Sequence, residues 1–173
     1  METKPSHVRL VIGLGNPGAE YERTYHNAGI FGLTFIQNAL ASRYPDVSFL
    51  SSPLFMNESG VFVSRQLHTR TLSPSQLLIV HDDSDLALGN FKLSFNRSAA
   101  GHRGVTSISN SLGSTHFWRL RIGVRAPQDP SASRIQAGDF VLLPMDISAI
   151  GAITQALERA LPTISEILKS PAR

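Results

Sequence analysis

The residues best suited to chemistry are one histidine and a run of carboxylates, each placed at a boundary of a predicted element. His26 lies in residues 24–27, just before a predicted helix, where a cation is disfavoured and a neutral imidazole base stays available. Asp82 opens the acidic run at 82–85, directly after a predicted buried strand. If the two side chains meet, Asp82 can orient one ring nitrogen of His26 while the other accepts a proton. On these residues alone the ordinary alternatives are favoured: His26 only caps the helix, and the acidic run binds water or a metal.

A histidine base would need a nucleophile and donors for the oxyanion. The chain contains no cysteine and no Gly-x-Ser-x-Gly elbow, so water is the predicted nucleophile of any hydrolytic reaction. Amide side chains could stabilise the negative charge on the carbonyl oxygen, and Asn16, Asn27 and Asn57 are available. Asn57 lies at the predicted start of a helix, where its ordinary role is that of an N-cap.

Residues 13–18, Gly-Leu-Gly-Asn-Pro-Gly, match the letters of a dinucleotide-binding loop. Pro17 interrupts the loop, and no acidic residue ends a second strand about 20 residues later, where a ribose hydroxyl would need it. We therefore predict no nucleotide cofactor. The glycines are expected instead to bring Asn16 to the carboxyl end of a central strand, the usual place for a site in an open sheet.

Strands and helices alternate along the chain. The patterns predict strands at 8–14, 49–50, 77–81, 91–95 and 118–124. They predict helices at 28–43, 56–67, 101–112 and 146–168, the last being one helix or two that meet at Pro162, and a long loop at 125–138. This order predicts one domain over residues 1–173, a three-layer α/β/α sandwich around a mostly parallel twisted sheet.

Composition narrows the class of protein further. The chain has 173 residues, of which 42% are hydrophobic and 17% charged, which is typical of a globular domain. No apolar stretch approaches the roughly 20 residues that cross a bilayer, and the first residues carry no apolar signal region, so we expect a soluble protein. The absence of cysteine excludes disulfides, thiolate chemistry and Cys-based zinc sites.

The basic residues are mostly arginine, since only three of the 16 are lysine. Arginine forks suit phosphate groups, although solvated surface charge explains the composition equally well. Six arginines fall within one part of the sequence: Arg97, Arg103, Arg119, Arg121, Arg125 and Arg134.

Five motifs, in order over nearly the whole chain, resemble those of the bacterial-type peptidyl-tRNA hydrolases. The first is the loop at 13–18 followed by Tyr21 and by Thr-Tyr-His-Asn-Ala-Gly at 24–29. The others are Leu-Phe-Met-Asn-Glu-Ser-Gly at 54–60, His-Asp-Asp-Ser-Asp-Leu-Ala-Leu-Gly at 81–89, Gly-His-Arg-Gly at 101–104 and Arg-Leu-Arg-Ile-Gly at 119–123. The late stretch at 139–142 also has a counterpart in the family.

The resemblance implies roles for the matching positions. His26 corresponds to the general base that activates water, and Asp82 to the residue that orients it. Asn16 and Asn57 correspond to the amides that hold the peptide part and the reacting carbonyl. The implied substrate-binding residues are Tyr21 at the 3′-terminal nucleotide of the tRNA, Phe55 and Met56 in the same groove, and His102 and Arg103 in the loop beside the peptide channel.

The resemblance also implies the remaining properties of the protein. The substrate would be peptidyl-tRNA, bound through its acceptor stem and 3′ end, with the stem resting on arginines such as Arg97, Arg103 and Arg121, while Arg119 and Arg121 partly serve the sheet. A mixed sheet, a monomer, no cofactor and no metal are implied. A cytoplasmic location is expected, with a mitochondrial one left open.

Four features depart from the family pattern. Arg103 replaces an asparagine that positions water and RNA; arginine cannot accept a hydrogen bond, but it can hold a phosphate or a carbonyl. Tyr25 and Thr106 replace basic residues, and the stretch at 44–53 is short, which removes a peripheral hairpin. Arg103 keeps one rival hypothesis open, a non-catalytic RNA-binding relative with the same fold.

Overall fold

A computed structural model describes residues 7–125 and 136–169, and these build one five-stranded sheet. The strands are β1 (Leu10–Gly13), β2 (Ser48–Ser51), β3 (Leu77–Ala87), β4 (Phe91–Phe95) and β5 (Trp118–Arg125), in the order β2-β1-β3-β5-β4. All neighbouring pairs are parallel except β4, which runs antiparallel to β5 at the edge. The predicted mixed, mostly parallel sheet is confirmed.

Helices cover both faces of this sheet. They are α1 (Ala28–Leu40), α2 (Ser59–Thr69), α3 (Arg103–Leu112), α4 (Ala137–Phe140) and α5 (Ile147–Leu168). Alternate residues of the central strands point to opposite faces, so Val11 and Leu78 join one core cluster with α1 and α5. Ile12 and Ile79 join a second cluster with α2 and α3. The two cores make the three layers that the strand–helix alternation predicts.

The main error in the predicted elements concerns the acidic run. We expected the third strand to end at residue 81, but β3 continues to Ala87, so Asp82 and its acidic neighbours lie in the strand itself. The extension is possible because β5 continues beside it, with a register shift between Asp83 and Ala87. Gly123 allows this close pairing, since a Cβ there would overlap the carbonyl oxygen of Ala87.

Smaller differences lie near the C-terminus. α5 is one helix that continues through Pro162, which settles the alternative of two helices. Part of the predicted loop at 125–138 is the short helix α4, and residues 126–135 of that loop lie outside the described ranges. Of the helices in the described ranges, none is both long enough and apolar enough to cross a membrane.

The topology places several loops at one edge of the sheet. The carboxyl ends of β1 and β3 are adjacent because these strands are parallel neighbours, with Gly13 opposite Val80. The segment after β1 leads to His26, and β3 carries Asp82 past the same edge. Ligand sites of open α/β sheets form at such an edge.

Candidate active site

A close approach between α1 and the sheet positions His26. The residue lies in a 3₁₀ turn, Tyr25–Asn27, that leads directly into α1. Gly29 follows it, and a Cβ at this position would overlap the carbonyl oxygen of Leu14 and lie 2.5 Å from that of Val80. The helix therefore starts directly on the ends of β1 and β3. The backbone N–H of His26 also donates to the carbonyl of Val141, 2.8 Å away.

Asp82 accepts hydrogen bonds from two histidines. His26 Nδ1 lies 2.9 Å from Oδ1 and 3.0 Å from Oδ2 of this carboxylate, and His102 Nε2 lies 2.9 Å from Oδ1. Asp82 is 1% exposed. Burial alone would raise the pKa of Asp82, but the attraction and hydrogen bonds of His102 and His26 together hold it well below its usual range. The carboxylate is therefore ionised at neutral pH.

The hydrogen bonds assign the proton on the ring of His26. An ionised carboxylate can only accept, so His26 Nδ1 carries the hydrogen that it donates to Asp82. The lone pair of a neutral ring then lies on Nε2. His26 lines a cavity of about 530 Å³, so this nitrogen can take a proton from a molecule bound there.

Asn16 is held with one end of its amide available. Asn27 bonds to both sides of its backbone, accepting from its N–H at 2.8 Å and donating to its carbonyl at 3.0 Å. The side-chain oxygen of Asn16 accepts from the N–H of Met56 at 2.9 Å. Its NH₂ group has no partner in the described part of the chain, and Asn16 lines the cavity. The amide can therefore donate to a carbonyl or an oxyanion.

Asn27 serves the site indirectly. We considered it as an oxyanion donor, but it is 4% exposed, both ends of its amide are used on Asn16, and it is not among the residues that line the cavity. Its role is to fix the backbone of Asn16.

Replacement of Asn27 by alanine tests this role. The change leaves a half-buried N–H and a half-buried carbonyl of Asn16 without the partners that Asn27 supplies, so we expect the free energy of unfolding to fall by about 1–3 kcal/mol. Because the loop then holds Asn16 less firmly, turnover should fall as well. Urea unfolding and steady-state kinetics measure the two effects, and an unchanged kcat would contradict the proposed support of Asn16.

One cavity of about 530 Å³ brings all nine predicted site residues together. They are Asn16, Tyr21, His26, Phe55, Met56, Asn57, Asp82, His102 and Arg103. The remaining lining includes Asp83–Asp85 from β3, 99–101 before α3, and Ala137, Gly138, Val141 and Leu142 from the α4 region. Sequence reasoning missed the α4 contribution, and its only signal was the motif at 139–142.

Two aromatic rings line the cavity. The rings of Tyr21 and Phe55 meet edge to face with centroids 6.2 Å apart, and Phe55 is 46% exposed.

Met56 is buried against the first turn of α3, where a Cβ on Gly104 would lie 2.5 Å from its sulfur. Gly104 therefore lets α3 come near enough for His102 to reach Asp82.

The structure decides against the ordinary alternatives for His26 and Asn57. Asn27, not His26, stands at the N-cap of α1. Asn57 lies inside the 3₁₀ turn Met56–Glu58, whose N-cap is Phe55, while Glu58 stands at the N-cap of α2. Asn57 is exposed to the cavity, and no other group in the described ranges bonds to its side chain.

Three donor groups lie near enough to suggest a metal ion: single ligand atoms of His26, Asp82 and His102 all lie within 4.8 Å of one another. The donor chemistry does not fit. The N–H of Val105 donates to His102 Nδ1, so the lone pair of this neutral ring is on Nδ1 and its hydrogen is on Nε2. A metal would need the lone pair on Nε2, which faces Asp82. These three side chains therefore suit a hydrogen-bonded cluster and not a metal site.

A second cavity, of about 450 Å³, is a cationic groove along β4 and β5. It is lined by Lys92, Arg97, Arg119 and Arg121 among other residues, and it shares Ala100 with the first cavity. Of the four cations, Lys92 and Arg97 are exposed.

The other two cations of the groove also serve the sheet. Arg119 is 2% exposed and donates to the carbonyl of Ser98 at 2.7 Å; burial, aided by Arg121, lowers its pKa. Arg121 pairs with Asp83 at 2.6 Å. This agrees with the partial structural role expected for both residues.

These features define an α/β protein with a histidine–carboxylate pair at the sheet edge and a cationic groove beside it. The family profile described as peptidyl-tRNA hydrolase matches residues 10–172. The peptidyl-tRNA hydrolase of Aquifex aeolicus is 36% identical over 170 residues, covering 89% of this chain and 86% of that protein. That of Azoarcus sp. is 34% identical, covering 91% and 79%.

Solved structures agree with the sequence comparisons. A crystal structure of peptidyl-tRNA hydrolase from Acinetobacter baumannii matches with a TM-score of 0.79 and 26% identity, covering 96% of this chain and 91% of that one. The chain belongs to the peptidyl-tRNA hydrolase family.

Proposed function

We propose that this protein hydrolyses the ester bond between peptide and tRNA in peptidyl-tRNA, with His26 as the base that activates water. Membership of the family supports the reaction, and the 2.9 Å contact between His26 Nδ1 and Asp82 supports the mechanism. This contact carries the proposal because it leaves His26 Nε2 as an acceptor at the cavity.

The reaction balances with the groups of this chain. His26 Nε2 takes a proton from water as the water oxygen attacks the ester carbonyl carbon, and Asp82 stabilises the resulting imidazolium. The carbonyl electron pair moves to oxygen, where the NH₂ groups of Asn16 and Asn57 donate to it. When the electron pair on the oxyanion re-forms the carbonyl, the bond from the carbonyl carbon to the 3′-terminal ribose oxygen breaks, and that oxygen takes the proton from His26. The products are a free peptide and a tRNA with a free terminal hydroxyl.

The groove supplies the proposed contacts for the nucleic acid. Tyr21 and Phe55 offer aromatic surface to the terminal nucleotide, and phosphates of the acceptor stem would lie along Lys92, Arg97 and Arg121. Arg103 offers a further cation at the first cavity, because it lines that cavity, is exposed, and has no hydrogen-bond or ion-pair partner in the described ranges. A monomer is the proposed active form, because all nine predicted site residues line one cavity in a single chain.

Phosphate contacts predict a defined salt dependence. Arg97→Ala should raise KM for peptidyl-tRNA several-fold and leave kcat unchanged, because the residue lines the groove and not the cavity that holds His26. The slope of log(kcat/KM) against log salt concentration should become shallower by about one. Arg43→Ala is the matched control, since Arg43 is exposed just beyond the far end of α1 and lines neither cavity. Equal slopes for the wild type and Arg97→Ala would exclude this phosphate contact.

A turnover assay tests the function itself. Purified protein should release free tRNA from an N-acetylated aminoacyl-tRNA, and the released amino acid should keep its acetyl group. The rival hypothesis is an RNA-binding relative without activity, and Arg103, at the position of the family asparagine, is the feature that favours it. That rival predicts saturable tRNA binding without release, and such a result would refute the proposed reaction.

A further inference from the structure

We infer that His102 is a positioning residue for this reaction, which holds Asp82 in the orientation that steers His26 and is itself held by the N-terminus of α3. The inference rests on the function proposed above and assigns His102 a task different from lining the peptide channel. It links the first turn of a helix to the protonation state of the base.

The first contact fixes the tautomer of His102. This residue is the N-cap of α3, and its Nδ1 accepts from the N–H of Val105 at 3.2 Å. The N–H of Val105 can only donate, so Nδ1 must present a lone pair, as the oxygen of an ordinary N-cap does. The hydrogen of the neutral ring therefore lies on Nε2.

The second contact fixes the carboxylate. His102 Nε2 donates to Oδ1 of Asp82 at 2.9 Å, and the same oxygen accepts from His26 Nδ1 at 2.9 Å. Rotation of the carboxylate would break both bonds, which is costly because Asp82 is 1% exposed. His102 thereby keeps both oxygens of Asp82 directed at His26.

A third histidine packs against this arrangement. His81 is 1% exposed, and its ring meets that of His102 edge to face with centroids 4.5 Å apart. Its Nδ1–H donates to the carbonyl of Asp82 at 2.6 Å, while its Nε2 has no partner within the described ranges. Burial, with His102 adding to it, lowers the pKa of His81 well below its usual value, so this ring is uncharged. The ring that packs against His102 is therefore buried and uncharged.

The arrangement also assigns a single base. His26 and His102 are the histidines that line the cavity, and both ring nitrogens of His102 are already engaged. Of these two histidines, only His26 has a ring nitrogen left over. The titratable groups facing His102 are thus His26, His81 and Asp82, with Arg119 near enough to His81 to disfavour its protonation.

Two substitutions separate the two bonds of His102. In His102→Asn the amide oxygen takes the place of Nδ1 and still caps α3, but the side chain is too short to reach Asp82. In His102→Gln the amide NH₂ takes the place of Nε2 and still donates to Asp82, whereas the cap is lost. If the role of His102 were purely structural, both substitutions would act only through the stability of the protein.

The two variants are expected to differ in opposite ways in Tm and in kcat. His102→Asn should keep the wild-type Tm and lose about 10- to 100-fold in kcat, the scale of one hydrogen bond to a charged group, with KM little changed. The acid limb of its kcat/KM profile should move to higher pH, because Asp82, with one donor fewer, attracts a charged His26 more strongly. His102→Gln should have a lower Tm and a kcat nearer to that of the wild type.

Several outcomes would overturn the inference. A raised KM with unchanged kcat and pH profile in His102→Asn would make His102 a substrate contact, and equal losses of kcat in both variants would make it structural. Nitrogen-15 NMR of the histidine rings gives a test independent of activity and of the folding of either variant. It should show His102 in the Nε2–H form, and an Nδ1–H form would refute the inference even in a fully active enzyme.

Discussion

Replacement of His26 by alanine is expected to lower kcat for peptidyl-tRNA hydrolysis by about 10²–10⁴-fold, the usual contribution of a positioned general base. KM should change little, because Asn16, Tyr21 and the cationic groove, which are proposed to bind the substrate, stay in place. The physical reason is that, among the histidines of the described ranges, only His26 combines a free ring nitrogen with a bond to an ionised carboxylate.

The control for this variant is His68→Ala. His68 is exposed in the last turn of α2 and lines neither cavity, so its loss should leave both kcat and KM unchanged. Circular dichroism and thermal unfolding check that both variants fold. If His26→Ala folds and retains more than a tenth of the wild-type kcat, another group must activate the water.

Asp82→Asn is expected to reduce kcat by a comparable factor, about 10²–10⁴-fold, with a nearly unchanged side-chain shape. The variant amide would place an NH₂ group where Oδ2 now lies, 3.0 Å from His26 Nδ1. Two donors would then face each other, so the ring of His26 would take the form with its hydrogen on Nε2. That nitrogen could no longer accept a proton, and an imidazolium would lack its counter-charge.

The pH dependence of stability gives Asp82→Asn a second readout. The pKa of Asp82 is lower in the folded protein than the value of about 3.9 for an unfolded aspartate. Its charge therefore contributes stability that is fully present above about pH 4 and is lost as the pH falls towards the folded pKa. The difference in free energy of unfolding between the wild type and Asp82→Asn should shrink below about pH 4. Asp46→Asn, a change at a 78% exposed side chain, should show neither effect.

Local patterns were sufficient for the architecture. The apolar run at 77–81 predicts a strand buried on both faces, and β3 has this burial because it is central and covered by α1 on one side and α2 and α3 on the other. The continuation of β3 to Ala87 could not be predicted, because the polar residues Asp82 and Asp83 are held in the strand by pairing with β5, a long-range contact. The short helix α4 was missed for a related reason: its neighbour Val141 is buried through contacts with the segment before α1.

The residues of the site could be predicted from the sequence, but the hydrogen bonds between them were less predictable. Motif spacing identified nine residues that all line one cavity. Two sets of bonds depend on how closely α1 and α3 approach the sheet: those of Asn27 to Asn16 and that of His102 to Asp82. Gly29 and Gly104 permit this close approach, but a glycine in the sequence does not by itself predict it. Which nitrogen of each histidine carries its hydrogen follows only from these contacts.

Chemical rescue tests the central claim most directly, because it restores the proposed base without the side chain. Added imidazole should enter the space left in His26→Ala and raise the rate of tRNA release in a saturable manner. The rescued rate should follow the uncharged fraction of imidazole as the pH is raised. A variant that still binds peptidyl-tRNA, yet shows no gain in rate at any pH at which imidazole is uncharged, would contradict the account.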